Sequence, residues 1–395
     1  MDFRLGINYW PISSAMYWWK RFDAQEVRQD FALIRETGFD SVRIFLLWED
    51  FQPRPHTIQK AAIQNLTTVT GIAADNSLSL IPTFFTGHMS GVNWIPRWAL
   101  TSLTQPQRFR VIAENKVVEA QPRNWYTDAE ILEAQTVLVG EIADTLHDKE
   151  NIWAWDLGNE NSNCVVPPNH DAAVEWLSRI TESIRSADRE HAITIGLHME
   201  DLEEDRKLGP YEAGQFCDFL CMHGYPIYAR WANGLTDALL LPFLGLITEW
   251  LGRKRVLFEE FGAPTLPLTT DEDLRSANVK LLTESEAAEF TSAALSLLKS
   301  WNMLGGFLWC FGDYAKRLWH LPPLDEAVHE RYFGLFRNDR SRKPAADTVS
   351  HFNRTADHNV KRDFDWINIK PDEFYDSPGQ NLMQLYRRFQ TLTAS

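Results

Sequence analysis

Two short segments carry the residues with the most chemical content, Asp156-Leu157-Gly158-Asn159-Glu160 and Phe258-Glu259-Glu260-Phe261-Gly262. Each follows an apolar run that reads as a buried strand, so Glu160 and Glu260, 100 positions apart, stand where two strands end. Two carboxyl groups facing one another across a cleft are the minimum equipment for cleaving a glycosidic bond. One must be protonated to serve the leaving oxygen and one ionised to attack the anomeric carbon. Their surroundings must therefore push the two pKa values apart. Arg43, in Ser41-Val42-Arg43-Ile44, can keep Glu260 ionised as the nucleophile. Glu160 has no cation beside it in sequence and takes the acid/base role. Asn159 can hydrogen-bond a sugar 2-hydroxyl, Tyr225 can hold Glu260 in place, and His223 can line the same wall. Side chains alternate along a strand, so of Glu259 and Glu260 one faces inward and the other faces the helices. Glu260 is taken as the inward one and Glu259 as a structural acid.

These residues need a scaffold that brings distant segments to one end. Eight apolar runs read as strands: Leu5–Asn8, Ser41–Phe45, Leu80–Phe84, Ile152–Leu157, Ala192–Gly196, Phe219–Met222, Arg255–Phe258 and Gly306–Cys310. Their near-continuous apolar character fits strands covered on both faces, as in a parallel sheet. Helical patterns lie between them. Asp23-Ala24-Gln25-Glu26 and Thr283-Glu284-Ser285-Glu286 read as capping boxes, and Gly38 is placed to end the first helix. Strand and helix alternating eight times is the order of a (β/α)8 TIM barrel, an α/β fold in which function collects at the C-terminal strand ends. Those ends present Trp10, Trp48, His88, Asn159 with Glu160, His198, His223 with Tyr225, Glu260 and Trp309. Each of these has a plainer reading. The histidines 88, 198 and 223 can be structural, Trp309 can be core, and Arg43 can be an internal ion pair. Residues 1–355 are expected to form the barrel, with long βα loops after strands three and eight. Residues 356–395 are expected to form a C-terminal extension packed on it, with an amphipathic segment at Leu382–Phe389.

With a net charge of −15 the chain is a poor partner for nucleic acid or an anionic membrane surface, whereas a neutral ligand is indifferent to that charge. No run of 18 apolar residues suggests a membrane span. No basic and apolar leader precedes the first strand, which points to a cytoplasmic protein. The cysteines 164, 217, 221 and 310 have no metal-site spacing and are expected to be reduced and mostly buried. Tryptophan is the outlier at 16 residues, many in polar or Gly/Pro-containing stretches. Such residues either offer flat apolar plates to sugar rings or plug the core.

In Arg43, Asn159-Glu160, His223-Gly224-Tyr225, Glu260-Phe261-Gly262 and Trp309, in this order from about residue 5 to 345, the chain resembles clan A glycoside hydrolases, family 5. The resemblance implies a retaining mechanism, with Glu160 as acid/base and Glu260 as nucleophile. It also implies a cleaved-sugar subsite lined by Arg43, Asn159, His223, Tyr225 and Trp309. Trp10, Trp48 and His88 complete the expected sugar-binding set. Tyr9-Trp10-Pro11, the stretch Ser14 to Trp19, Phe45 to Phe51 and Thr86 to Trp94 resemble a bacterial branch of exo-acting β-mannosidases. Some of that branch act on mannose-β-1,4-N-acetylglucosamine. No cofactor or metal is implied, and the partner expected is a neutral oligosaccharide. Three readings compete with this one. An endo-β-mannanase or β-glucanase would use the same residues in an open groove. A sugar-binding barrel would lack catalysis. A metal-dependent barrel enzyme would need histidines with carboxylate companions, which their separate strands do not suggest.

Overall fold

The computed structural model describes residues 3–268, 274, 279–355 and 364–394. Eight strands, all parallel, close into a barrel: β1 Arg4–Tyr9, β2 Ser41–Leu47, β3 Ser79–Thr86, β4 Ala154–Asn159, β5 Ala192–His198, β6 Leu220–His223, β7 Val256–Phe261 and β8 Gly305–Leu308. Each pairs with its successor in the chain, and β8 pairs with β1 from Arg4 opposite Gly305 to Ile7 opposite Leu308. All eight expected strands are present, displaced by a few residues at their ends. The register slips between Phe45 and Leu47, Asp156 and Asn159, Met222 and His223, and Phe258 and Phe261. All four slips fall at the C-terminal rim. Such irregularities bend a strand and re-aim its side chains.

Long helices follow most strands: α1 Ala24–Glu36, α2 Lys60–Asp75, α3 Ala129–Leu146, α4 His170–Ala187, α5 Leu240–Gly252, α6 Glu284–Ser300 and the shorter α7 Pro344–Ser350. Asp23 caps α1 through the amides of Gln25 and Glu26. Glu26 does not close the expected box; its carboxylate serves Ser13 and Arg340. Thr283 and Glu286 do form the reciprocal box on α6. Gly38 follows the C-cap with φ +103°, a conformation that costs glycine little.

The fifth unit departs from the expected alternation. After β5 there are only two single-turn helices, Glu200–Glu203 and Pro210–Ala213. A C-terminal helix, α8 Pro378–Ala394, supplies cover nearby, with Gly379 close to the Glu203 carbonyl. Helix α5 is apolar nearly all round, which a helix tolerates only when covered on every side. Phe243 of α5 meets Tyr386 and Phe389 of α8, and Trp301 also packs on Phe389. The boundary expected at 355/356 borders residues 356–363, which lie outside the described residues.

The connection from β3 to β4 holds more than the expected helix. It also folds into a small sheet of short strands, His88–Met89, Val92–Trp94, Arg110–Ala113 and Lys116–Val118, and a two-stranded pair. Among the described residues, no helix is long and apolar enough to cross a membrane. All four cysteines are free, Cys164 half-buried and the other three buried.

Candidate active site

Arg43 organises the barrel mouth. It is completely buried, and an arginine can be buried only with its donors satisfied. Its Nη1 lies 2.5 Å from Glu260 Oε1. Nη2 donates to Asp156 Oδ2 at 2.7 Å and to Asn159 Oδ1 at 3.0 Å. Nε donates to Thr83 Oγ1 at 2.9 Å and stands 3.4 Å from Glu259 Oε1. The guanidinium needs room on the β5 side, and Gly196 leaves it: a Cβ there would stand 2.9 Å from Nη2.

Glu260 is held from its other side by the Tyr225 hydroxyl, which donates to Oε2 at 2.9 Å. Glu160 sits at the end of β4 in the left-handed region, φ +48°, where it begins a 3₁₀ turn and donates its amide to the Gly196 carbonyl. Non-glycine residues held this way often mark functional sites. Its carboxylate accepts from Asn163 Nδ2 at 3.0 Å and pairs with His223 Nδ1 at 3.1 Å. His88 Nε2 at 3.8 Å and His198 Nδ1 at 4.0 Å complete a collar of three histidines around it. Asn159 donates to the His88 carbonyl at 2.8 Å, so its amide is fixed between that carbonyl and Arg43.

Glu160, His223 and Glu260 each present an oxygen or nitrogen within 4.8 Å of the others. Such a group could also hold a divalent ion, so the expectation that the histidines lack carboxylate companions fails in space. The cause is that β4, β6 and β7 converge at the rim although their residues lie far apart in sequence. Hydrolysis by the carboxylate pair alone is expected to proceed unchanged in excess EDTA. A rate that falls with chelator and returns with a divalent ion would replace this reading with a metal-dependent one.

The electrostatics of the site place the proton elsewhere than the assigned roles do. Burial works to raise the Glu160 pKa, but the charge of His198, the hydrogen bond from His223 and the charges of His223 and His88 hold it well below the usual range. Burial raises Glu260, against the opposing pull of His223 and Arg43. Burial also disfavours charge on His223, yet Glu260 and the bonds to Glu160 and Glu259 push its pKa up to about 10. The proton of this cluster therefore rests on His223. A protonated Glu160 differs from that state only by the position of one proton along the 3.1 Å hydrogen bond between them.

The other sequence assignments divide. Trp309 directly follows β8, its amide on the carbonyl of Phe261 next to Glu260, with Phe45 against its ring and its Nε1 3.4 Å from Glu330. Trp10 lies flat on Phe45 at 4.9 Å, and its Nε1 meets no partner among the described residues. Trp48, expected to bind sugar, is packed instead. Gln52 takes its Nε1 at 2.8 Å, and Phe85, Trp98 and Trp125 surround its ring. The helical turn Trp48–Phe51 that directly follows β2 turns the side chain into this cluster. Most loop tryptophans are core in the same way, Trp18, Trp19, Trp94 and Trp125 among them. Glu259 does not face the helices. It is buried inside the barrel between Arg43 and His223, because the slip between Phe258 and Phe261 breaks strict alternation.

Sequence reasoning passed over Asp156, Asn8, Thr83, Asn163 and Glu330. Asp156 was detectable, being a charge inside an otherwise apolar strand that needs a buried cation. Asn8, which donates to the Glu259 and Leu308 carbonyls, offered a similar signal. Glu330 lies in a long loop and offered none.

No protein-family model matches the chain. A curated relative, mannan endo-1,4-β-mannosidase A of Hypocrea jecorina, is 25% identical over 164 residues, 37% of this chain and 35% of the relative. Its counterpart in Podospora anserina is 29% identical over 99 residues, a quarter of each chain. The chain thus spans about a third or less of the curated relatives it matches. Among solved structures, a GH5_18 glutamate-to-alanine variant from Streptomyces cattleya in complex with Manβ1-4GlcNAc superposes with TM-score 0.78 at 21% identity. It covers 99% of this chain and 92% of its own. A GH5_18 structure from Bifidobacterium longum subsp. infantis gives 0.74 at 20%, covering 100% and 90%. An exo-β-1,4-mannosidase from an Opitutaceae bacterium gives 0.70 at 24%, covering 89% and 59%. At these identities the likeness to solved structures is one of fold. The chain thus shares the barrel of these GH5_18 structures, and its curated relatives are mannan endo-1,4-β-mannosidases.

Proposed function

We propose that the chain is a retaining family 5 glycoside hydrolase that releases terminal β-mannose from short oligosaccharides, Manβ1-4GlcNAc among them. The observation that carries the hydrolase reading is the carboxylate pair, with one oxygen of each glutamate inside the 4.8 Å cluster. Retaining enzymes hold their carboxyls about 5–5.5 Å apart, and inverting ones leave about 6.5–9.5 Å for a water. In this reading Glu260, oriented by Arg43 and Tyr225, attacks the anomeric carbon. Glu160 protonates the departing oxygen with the proton that rests on His223, then activates water to break the glycosyl ester. Replacing Glu160 by alanine is expected to slow substrates with poor leaving groups by about 10²–10⁴-fold, the usual worth of general acid catalysis. Dinitrophenyl glycosides, which leave unaided, should lose far less in the first step. An equal loss for both substrate types would remove Glu160 from the acid role.

Exo action is supported by the way loops are tied around the mouth. Tyr17, after β1, donates to the Pro322 carbonyl after β8 at 2.6 Å. Arg110, after β3, forks onto Asp325 at 2.9 and 2.7 Å. Arg108 forks onto Glu200 after β5, and Arg206 joins Glu200 to Asn163 after β4. Such bridges favour a walled pocket over a groove open at both ends. Incubation with Manβ1-4GlcNAc, mannobiose and polymeric mannan, with products resolved by size, tests the reading. Mannose, together with GlcNAc from the disaccharide or a chain one residue shorter from mannan, is the expected early outcome; internal fragments from mannan would favour the endo alternative.

A further inference from the structure

The long segment after β8 returns to the barrel mouth through a 3₁₀ turn, Val328–Tyr332, and delivers a further carboxylate, Glu330, that the mechanism above does not use. Its side chain is only 8% exposed. Oε2 accepts from Ser90 Oγ at 2.9 Å and from Trp309 Nε1 at 3.4 Å. Oε1 has no hydrogen-bond donor among the described residues, and His329 Nε2 stands 3.6 Å from it. That imidazole does not neutralise it. Burial pulls the His329 pKa down to about 4, and Nε2 is already engaged with the Tyr228 hydroxyl at 2.9 Å.

Both hydrogen bonds to the carboxylate thus fall on Oε2, and Oε1 is left without a protein donor and open to accept from a ligand. Burial, together with the nearby charges of Glu260 and Glu160, raises the Glu330 pKa to about 7. Ser90, in the β3–β4 connection, and Trp309, directly after β8, tie the residue to the C-terminal rim of the barrel, outside the bond-breaking pair. Among the described residues no lysine or arginine pairs with it, and Ser90 and Trp309 fix it through Oε2 alone. The group that would complete the arrangement is a small neutral donor arriving from the site, and a sugar ring resting against Trp309 carries several hydroxyls at its rim.

We propose that Glu330 is a specificity-determining residue whose Oε1 accepts a hydrogen bond from one hydroxyl of the sugar held against Trp309, while Oε2 fixes the Trp309 ring that carries that sugar. This rests on the reading that a mannosyl unit occupies that subsite. It assigns to a loop residue the selection of one hydroxyl position, independent of the bond-breaking pair.

Binding separates this inference from the hydrolase reading, because it does not need turnover. Mannose and its 2-, 3-, 4- and 6-deoxy analogues are titrated into wild type and Glu330→Gln, followed by tryptophan fluorescence. Glutamine keeps the shape but can put an amide donor where Oε1 accepts. The substitution is expected to raise Kd for mannose by about 10- to 100-fold, the range of a hydrogen bond to a charged group. For one deoxy analogue the wild-type and variant Kd values should agree within about twofold, since that analogue has already lost the contact. Equal variant-to-wild-type ratios for all five sugars, or no saturable binding of mannose, overturns the inference. If Glu330→Gln does not fold, Ser90→Ala takes its place, because it frees Glu330 from its one short hydrogen bond. It must then change discrimination at a single hydroxyl, and unchanged discrimination across the set overturns the inference equally. A wild type that binds with the expected pattern but hydrolyses no β-mannoside contradicts the proposed function alone.

Discussion

Glu260→Ala is expected to lower kcat for an aryl β-mannoside by at least about 10⁴-fold, the scale seen when a nucleophile is deleted from a catalytic unit. The loss should be this large because nothing nearby replaces the carboxylate. Glu259 is the closest acid in sequence, but it is buried behind Arg43 and His223 and points into the barrel. Glu160 approaches from the side of the departing oxygen. The alanine leaves a void beside Arg43 Nη1 and the Tyr225 hydroxyl, both of which donated to the missing group. Azide, a small anion, fits that description and should restore turnover. Attack from the nucleophile's face inverts the anomeric centre once, so the product should be α-mannosyl azide. Undiminished activity in Glu260→Ala would exclude Glu260 as nucleophile. A β-configured azide would place the attack on the other face and reverse the two roles.

The barrel was legible because its signals are local and repeated. Each of the eight short apolar runs read as strands is a strand, since a parallel strand covered on both faces shows an unbroken apolar string. The pairing of Glu160 with Glu260 was legible for a related reason: once strands are counted, the fold itself places their ends together. The fifth unit was not legible in this way. Its single-turn helices at Glu200–Glu203 and Pro210–Ala213 are too short for a periodic pattern, and the first is covered by α8, nearly 180 residues later in the chain.

Side-chain direction at the rim was the second limit. The alternation rule sends Glu259 to the helices, and one slip in register between Phe258 and Phe261 is enough to turn it inward. No residue type announces such a slip. Tryptophan misleads for a different reason. A ring in a polar stretch serves equally as a sugar platform or as a plug beneath a long loop. Only the partners decide, as Gln52 does for Trp48 and Glu330 for Trp309. The collar of histidines about Glu160 was likewise invisible, since His88, His198 and His223 come from three separate strand ends.

Arg43→Ala should show the largest effect on stability. The guanidinium is fully buried and is the shared cation for Asp156, Glu259 and Glu260, which are themselves buried. Removing one partner of a buried ion pair typically costs about 3–5 kcal/mol, because the remaining charge is left uncompensated. Here three carboxylates lose their cation at once, so the upper end of that range is expected. Arg43→Lys should rescue little of it, since one ammonium cannot span the donors that reach Glu260, Asp156, Asn159 and Thr83 together. The pH dependence carries the sign. Burial tends to raise Glu259, and Arg43 and His223 overcome this and hold it below its ordinary value. A depressed carboxylate contributes stability that is present above its unfolded pKa, about 4.3 for glutamate, and is lost as pH falls through the lower folded value. Without Arg43 the folded pKa rises, so Glu259 binds a proton in the folded state before it does so unfolded. The penalty in Arg43→Ala should then be greatest at pH 7.5 and shrink toward pH 5. Urea unfolding of both proteins at the two pH values measures it. Equal stability at pH 7.5, or a deficit that grows on acidification, would show that the carboxylates do not depend on Arg43 for their charge.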